Sequence, residues 1–171
     1  MTASGQNGAA TVSWTPPSSD GGTPITHYTV VTSTGQPGCD AGLATSCLVQ
    51  GLSNGTPYQF AVVAQNGRGP SALSAWSATV VPAGPPEAPR NVKVLARKGK
   101  AKVSWRPPAF NGGAPVSRYT VTASSGRSCS TSRQSCTVKR LKHRKKVRFT
   151  VVASNAVGTG PGAVSRKVRI K

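Results

Sequence analysis

Ala10-Thr-Val-Ser-Trp14-Thr-Pro-Pro17 returns 91 residues later as Ala101-Lys-Val-Ser-Trp105-Arg-Pro-Pro108. The next stretch keeps the same offset: Gly21-Gly-Thr-Pro-Ile-Thr-His-Tyr28-Thr-Val30 against Gly112-Gly-Ala-Pro-Val-Ser-Arg-Tyr119-Thr-Val121. Further on, Ser46-Cys47-Leu-Val-Gln-Gly-Leu52 matches Ser135-Cys136-Thr-Val-Lys-Arg-Leu141, and Phe60-Ala-Val-Val-Ala-Gln-Asn66 matches Phe149-Thr-Val-Val-Ala-Ser-Asn155. A duplication of about 90 residues is too long for a solenoid repeat and suits a small all-β domain.

Within each copy the apolar positions alternate. Ala10, Val12 and Trp14 point one way, and Thr11, Ser13 and Thr15 the other. Tyr58, Phe60, Val62 and Ala64 share a face, as do Tyr28 and Val30. Period two over short Val- and Thr-rich runs, broken by Gly/Pro turns, reads as strands of a β-sandwich. No apolar run reaches 18 residues, so no transmembrane helix is expected, and the polar opening Met1-Thr-Ala-Ser-Gly-Gln-Asn is not a signal peptide. The expected organisation is a unit over 1–82, a semi-rigid proline-rich linker over 83–89 and a second unit over 90–171.

Charge divides the halves. Residues 1–82 carry Arg68 against Asp20 and Asp40, giving 1 − 2 = −1. Residues 83–171 carry 21 cations against Glu87, giving 21 − 1 = +20. Such a balance implies an anionic partner or surface. The cysteines form two close pairs with neither a CxxC spacing nor more than two histidines in the chain, which disfavours zinc. One local disulfide per half, Cys39–Cys47 and Cys129–Cys136, is expected, and with it an oxidising compartment: secreted or cell surface.

A Trp in the second strand, Pro-Pro then Gly-Gly, a Tyr-x-Val strand, Gly51-Leu-Ser-Asn-Gly-Thr-Pro-Tyr58 and an Asn-x-x-Gly-x-Gly-Pro-like loop together resemble fibronectin type III modules. The resemblance covers nearly the whole chain and implies two consecutive immunoglobulin-like sandwiches. The local cysteine pair resembles versions in bacterial secreted and cell-wall proteins, where such modules bind or space. Two departures stand out. Met1 aligns with Val92, so the first unit's opening strand is expected to be short and its sheet edge partly unpaired. Val147 stands where the first unit has Tyr58, so the family's tyrosine-corner hydrogen bond is expected in the first unit alone.

Catalysis finds no support. Asp20 and Asp40 sit in turns and Glu87 in the linker, none paired with a second carboxylate; His27 has Arg118 as its counterpart and reads as a surface residue. His143 lies among cations. No cofactor motif is present. Trp14, Trp105, Tyr28 and Tyr119 fall on inward positions, which leaves Trp76 and Phe110 as the candidate exposed aromatics.

Lys100, Lys102 and Arg106 alternate with Ala101, Val103 and Trp105, so they face water where the first unit has Ala9, Thr11 and Thr15. The densest run, Lys139-Arg-Leu-Lys-His-Arg-Lys-Lys-Val-Arg148, reads as a charged turn with Leu141 and Val147 inside. The family's topology implies that three elements share one end of the second unit. These hold Arg97, Lys98 and Lys100; Lys142, His143, Arg144, Lys145 and Lys146; and Arg169 and Lys171. A non-catalytic module that touches an anionic polysaccharide or cell-wall polymer, an anionic glycan or lipid head groups is the leading expectation. A passive spacer of a larger secreted hydrolase comes next. Nucleic-acid binding ranks last, because no recognition helix or interleaved exposed aromatics accompany the charge.

Overall fold

The computed structural model describes residues 1–171, and its chain divides into two units, Met1–Ala83 and Gly84–Lys171. Both are built only from strands. The first holds β1 (Thr2–Gln6), β2 (Ala9–Ser13), β3 (Ile25–Thr32), β4 (Cys39–Gly42), β5 (Ser46–Gln50), β6 (Phe60–Asn66) and β7 (Gly69–Pro70). One sheet runs β1-β2-β5 and the other β4-β3-β6-β7, all antiparallel.

The second unit repeats the plan with β8 (Arg90–Arg97), β9 (Lys100–Arg106), β10 (Arg118–Ala123), β11 (Ser128–Thr131), β12 (Ser135–Lys139), β13 (Lys146–Val147), β14 (Phe149–Ser154), β15 (Ala163–Val164) and β16 (Val168–Arg169). Its sheets are β12-β9-β8 and β11-β10-β14-β15, with β13 and β16 as a short ribbon.

Alternation puts the expected residues inside. Val12, Val30, Val49 and Phe60 are fully buried in the first unit; Val103, Val121, Val138 and Phe149 are their counterparts in the second. Trp14 meets Tyr28 edge-on at 5.6 Å, and Trp105 meets Tyr119 at 5.3 Å, so these aromatics fill cores. Burial of Tyr119 pushes its phenol pKa up, because the charged form loses solvation.

The cysteines pair as Cys39–Cys47 and Cys129–Cys136, with Cα atoms 6.4 and 6.3 Å apart. Each bridge joins the edge strand of one sheet to the edge strand of the other: β4 to β5, and β11 to β12. The tyrosine corner forms in the first unit, where Tyr58 Oη accepts the Ser53 N–H at 3.0 Å. In the second, Val147 is simply buried.

The opening strand of the first unit has five residues against eight in the second, and it pairs with β2 along its whole length. The stretch read as a linker behaves differently from that reading. Gly84 donates to Gly112 O at 2.8 Å, and Glu87 donates to Phe110 O at 3.0 Å. Asn155 Nδ2 donates to Gly84 O at 2.8 Å, and Gly84, Pro86 and Pro89 are buried. Residues 84–89 are thus laid along the second unit. The prolines read as a semi-rigid linker hold the backbone extended for that docking.

The last strand of the first unit departs from a regular ladder. Ser71, Ser74 and Ser77 donate their N–H groups to Ala64, Val62 and Phe60 carbonyls at 2.8, 3.0 and 2.8 Å. Their hydroxyls accept the N–H groups of the same three residues at 3.0, 3.0 and 3.1 Å. Three residues advance for every two of β6, so a serine side chain replaces the missing backbone acceptor each time. Ser165 does the same for Phe149 in the second unit, at 3.0 Å.

Candidate functional site

The site is the end of the second unit where β8 turns into β9. Arg97 pairs with Lys100 across that hairpin, and Lys100 pairs in turn with Lys139 at the end of β12. Gly99 at the tip ties the neighbours in: its carbonyl accepts Leu141 N–H at 2.9 Å, and its own N–H donates to Lys171 O at 3.1 Å. The turn after β12 is then clipped to the last strand. Arg144 donates to Ile170 O at 2.9 Å, Ile170 donates to Lys145 O at 3.0 Å, and Lys146 pairs with Arg169.

Three apolar side chains anchor this end from beneath: Leu141, Val147 and Ile170 are all buried. Everything else there points outward. Arg97, Lys98, Lys100, Lys142, Arg144, Lys145, Lys146, Arg169 and Lys171 are all exposed, as is His143. The structure therefore brings the three cationic elements together in one cap. Glu87, the sole acid of this unit, is spent elsewhere: its carboxylate accepts the Phe110 N–H at 3.3 Å. The unit has no other acidic side chain to set against the cap.

The first unit carries the same pole without charge. Gly8 stands for Gly99, and its carbonyl accepts Leu52 N–H at 2.9 Å. Gly55 donates to Pro82 O at 2.8 Å, as Arg144 does to Ile170 O. Asn54 Oδ1 accepts the Gly8 N–H at 2.8 Å and Asn54 Nδ2 donates to Asn7 at 2.7 Å; His143 and Lys98 hold those two positions in the second unit.

The backbone separates the two poles further. Gly51 and Gly55 adopt φ of 75° and 84°, a left-handed conformation that glycine takes without strain. Their counterparts are Arg140 and Arg144, at φ of 57° and 59°. A non-glycine residue held there costs on the order of 1 kcal/mol or more. Arg140 was not among the expected site residues. The repeat contained its signal, since Gly51 aligns with it at the same offset that aligns Leu52 with Leu141.

The remaining chemistry is spoken for. Asp20 Oδ1 accepts the Gly22 N–H at 2.9 Å and Asp40 Oδ1 the Gly42 N–H at 3.0 Å, each closing its own turn. His27 is half-buried beside Thr26. No cluster of three His, Cys, Asp or Glu side chains exists to hold a metal. Trp76 and Phe110 are exposed, at 44% and 42%. No helix is long and apolar enough to cross a membrane.

The fibronectin type III domain model matches residues 1–80 and again 87–169. The chain belongs to the fibronectin type III family. It is similar to fibronectin type-III domain-containing protein 3A of Mus musculus, 29% identical over 163 residues that span 88% of this chain and 14% of that protein. It is also similar to titin of Drosophila melanogaster, 28% identical over 191 residues covering 99% of this chain and 1% of titin. Domains A168–A170 of titin share its fold, with a TM-score of 0.61 at 20% identity, over 99% of this chain and 62% of that structure. The chain therefore spans a small part of the curated relatives it matches. The mouse and fly proteins are animal relatives, and a Kelch domain-containing protein of Saccharolobus solfataricus is 38% identical over 74 residues, 43% of this chain and 10% of that protein.

Proposed function

We propose that this pair of fibronectin type III domains is a non-catalytic extracellular module whose second domain contacts anionic polysaccharide or cell-wall polymer through its cationic cap. The observation that carries the reading is the pair of left-handed arginines. A turn that serves perfectly well with glycine in the first domain has been given Arg140 and Arg144 in the second, at a cost in backbone strain. The turn itself does not need the charges, because its bonds from Leu141 to Gly99 O and from Arg144 to Ile170 O recur in the neutral pole as Leu52 to Gly8 O and Gly55 to Pro82 O. A surface that meets phosphate or carboxylate groups does need them.

The first domain acts as the spacer in this reading, with its pole capped by amides. The extracellular setting follows from the two local disulfides, which persist where the surroundings are oxidising. Nucleic acid ranks behind the glycan reading, since Trp105 and Tyr119 are buried and the exposed Phe110 sits beside Glu87. A passive spacer within a larger secreted hydrolase remains the outcome if no polymer binds.

Calorimetric titration of the chain with a uronic-acid polymer, a sulfated glycan, a teichoic acid and duplex DNA tests the proposal. Binding to a glycan or wall polymer should be tight at low salt and fall steeply as the screening length shrinks from about 10 Å at 0.1 M to about 3 Å at 1 M. The polymer reading falls if heat is released with none of them, or with DNA alone.

A further inference from the structure

Four further cations border the cap on the side of the four-stranded sheet: Arg127, Arg148, Arg166 and Lys167, all exposed. Arg148 stands at their centre. Val147 before it pairs with Val168, and Phe149 after it accepts the Ser165 N–H on its carbonyl at 2.8 Å, so Arg166 and Lys167 lie on one flank. On the other flank Ser124 donates its N–H to Arg148 O at 2.8 Å and accepts the Arg148 N–H on its hydroxyl at 3.2 Å. Ala123 then donates to Arg127 O at 2.7 Å across the turn between β10 and β11.

The first domain builds the same scaffold without charge. Ser33 donates to Gln59 O at 2.9 Å and accepts the Gln59 N–H on its hydroxyl at 3.0 Å. Gln36, Gln59, Ala78 and Thr79 hold the positions of Arg127, Arg148, Arg166 and Lys167. Gln36, Ala78 and Thr79 are exposed as well, so this strip is surface in both copies. Gln59 spends its amide within its own domain, donating to Ser77 O at 3.1 Å. The backbone bonds thus hold with either set of side chains, while cations set on neighbouring strands repel one another.

A second row of cations lies across the sandwich. Arg97, Lys100 and Lys139 are cross-strand neighbours in β8, β9 and β12. Strand β8 lies against β15 and β16, so that row leads on to Arg166, Arg148 and Arg127 around the end of the domain. Strands about 4.8 Å apart, in sheets about 10 Å apart, put roughly 30 Å of contour between Lys139 and Arg127. One sulfate or phosphate reaches one or two of these cations. Only a chain of linked anionic groups reaches them all.

We propose that the ligand of the cap is an extended anionic glycan chain that wraps this end of the second domain, from Lys139 on one sheet to Arg127 on the other, with Arg148 as its anchor on the four-stranded sheet. This rests on the cap as the polymer site and narrows the ligand to a run of linked anionic sugars, as against a single head group. A flat lipid surface meets the end alone, whereas a chain follows it onto both sheets.

Calorimetric titration of the full chain with sulfated oligosaccharides, from a disaccharide to a chain longer than the contour, tests this. Affinity should climb severalfold with length until the oligomer spans the end, and then level off. The variant Arg127→Gln, Arg148→Gln, Arg166→Ala and Lys167→Thr installs the first domain's residues on a scaffold that already holds without charge, and its unfolding curve checks that it folds. It should lose severalfold in affinity for the long oligomers and little for the disaccharide, which the cap alone holds. Removing Lys93, Lys102, Arg106 and Arg118 instead should not produce that dependence on length. The wrapped chain is overturned if the disaccharide binds the parent as tightly as the long oligomers, if the flank variant loses nothing or loses the same factor at every length, or if phosphatidylglycerol vesicles bind more tightly than the longest oligomer. Long oligomers that weaken when the turn at Arg140–Lys145 is neutralised but ignore the flank variant overturn the wrapping alone. No binding at any length overturns the cap as a polymer site together with it.

Discussion

Arg140, at φ 57°, holds the backbone position that Gly51 holds at φ 75° in the first domain. The same substitution of arginine for glycine recurs four residues later, at Arg144 and Gly55. Both arginines are exposed, so neither gains burial in return. Arg140→Gly and Arg144→Gly should each stabilise the second domain by about 1 kcal/mol in denaturant unfolding. Arg140→Gln and Arg144→Gln separate strain from charge, because glutamine removes the charge and keeps the strain. Stabilisation by glutamine equal to that by glycine would show that repulsion among cations, not backbone conformation, is being relieved.

Serine hydroxyls complete the last strand of the first domain. Ser77→Ala would leave the buried Phe60 N–H without its acceptor at 3.1 Å, and Ser165→Ala would do the same to Phe149. Each should cost its own domain about 1–3 kcal/mol. Hydrogen exchange at the Phe60 and Phe149 amides is the direct readout. Unchanged protection at those amides would mean that water or a shifted strand supplies the bond.

The disulfides tie sheet edge to sheet edge across short loops. Replacing Cys39 and Cys47 together by alanine should cost about 2–3 kcal/mol in the chain-entropy account, and replacing Cys129 and Cys136 the same. Peptide mapping without reduction should recover Cys39–Cys47 and Cys129–Cys136. A crossed pairing between the two domains would contradict the fold, and free thiols in protein from its native compartment would contradict the redox setting.

Tyr119 gives the second domain an alkaline weakness. Its folded pKa is raised by burial above the ordinary value of 10.0, so the folded state holds the proton longer than the unfolded chain. The stability this represents is present below the unfolded value and is lost as pH rises through the raised one. Tyr119→Phe should remove that loss from the second domain's unfolding curve above about pH 10. Lysine deprotonation acts in both proteins and cancels in the comparison. Parallel alkaline curves for the two proteins would show that the phenol is not responsible.

Much of this fold was legible in the sequence, because its signals are local. Alternation in Ala10, Val12 and Trp14 and in their copies placed the cores, and Tyr58 against Val147 placed the tyrosine corner. The cationic cap was reachable because sandwich topology brings the ends of β8, β12 and the last strand together. What was missed depends on features with no period of two. Ser71, Ser74 and Ser77 repeat every third residue, which fits neither strand nor helix and reads as loop. Residues 84–89 have a linker's composition, and only their hydrogen bonds to Gly112, Phe110 and Asn155 show them docked. The strain at Arg140 and Arg144 is a backbone fact that composition hides and the repeat alignment discloses.

The most direct test of the cap is to give the second domain its sister's turn. The variant Arg140→Gly, Lys142→Ser, Arg144→Gly and Lys145→Thr installs the residues that the first domain carries at those positions. A control variant removes four exposed charges elsewhere: Lys93→Thr, Lys102→Thr, Arg106→Thr and Arg118→Gln. Polymer binding and unfolding are then measured on both at fixed salt. The turn variant should be more stable than the parent by roughly 2 kcal/mol, from two relieved left-handed residues, and should lose most of its polymer affinity. The control should retain more of that affinity at the same net charge. Equal losses in the two variants would contradict a dedicated site and leave net charge alone as the cause.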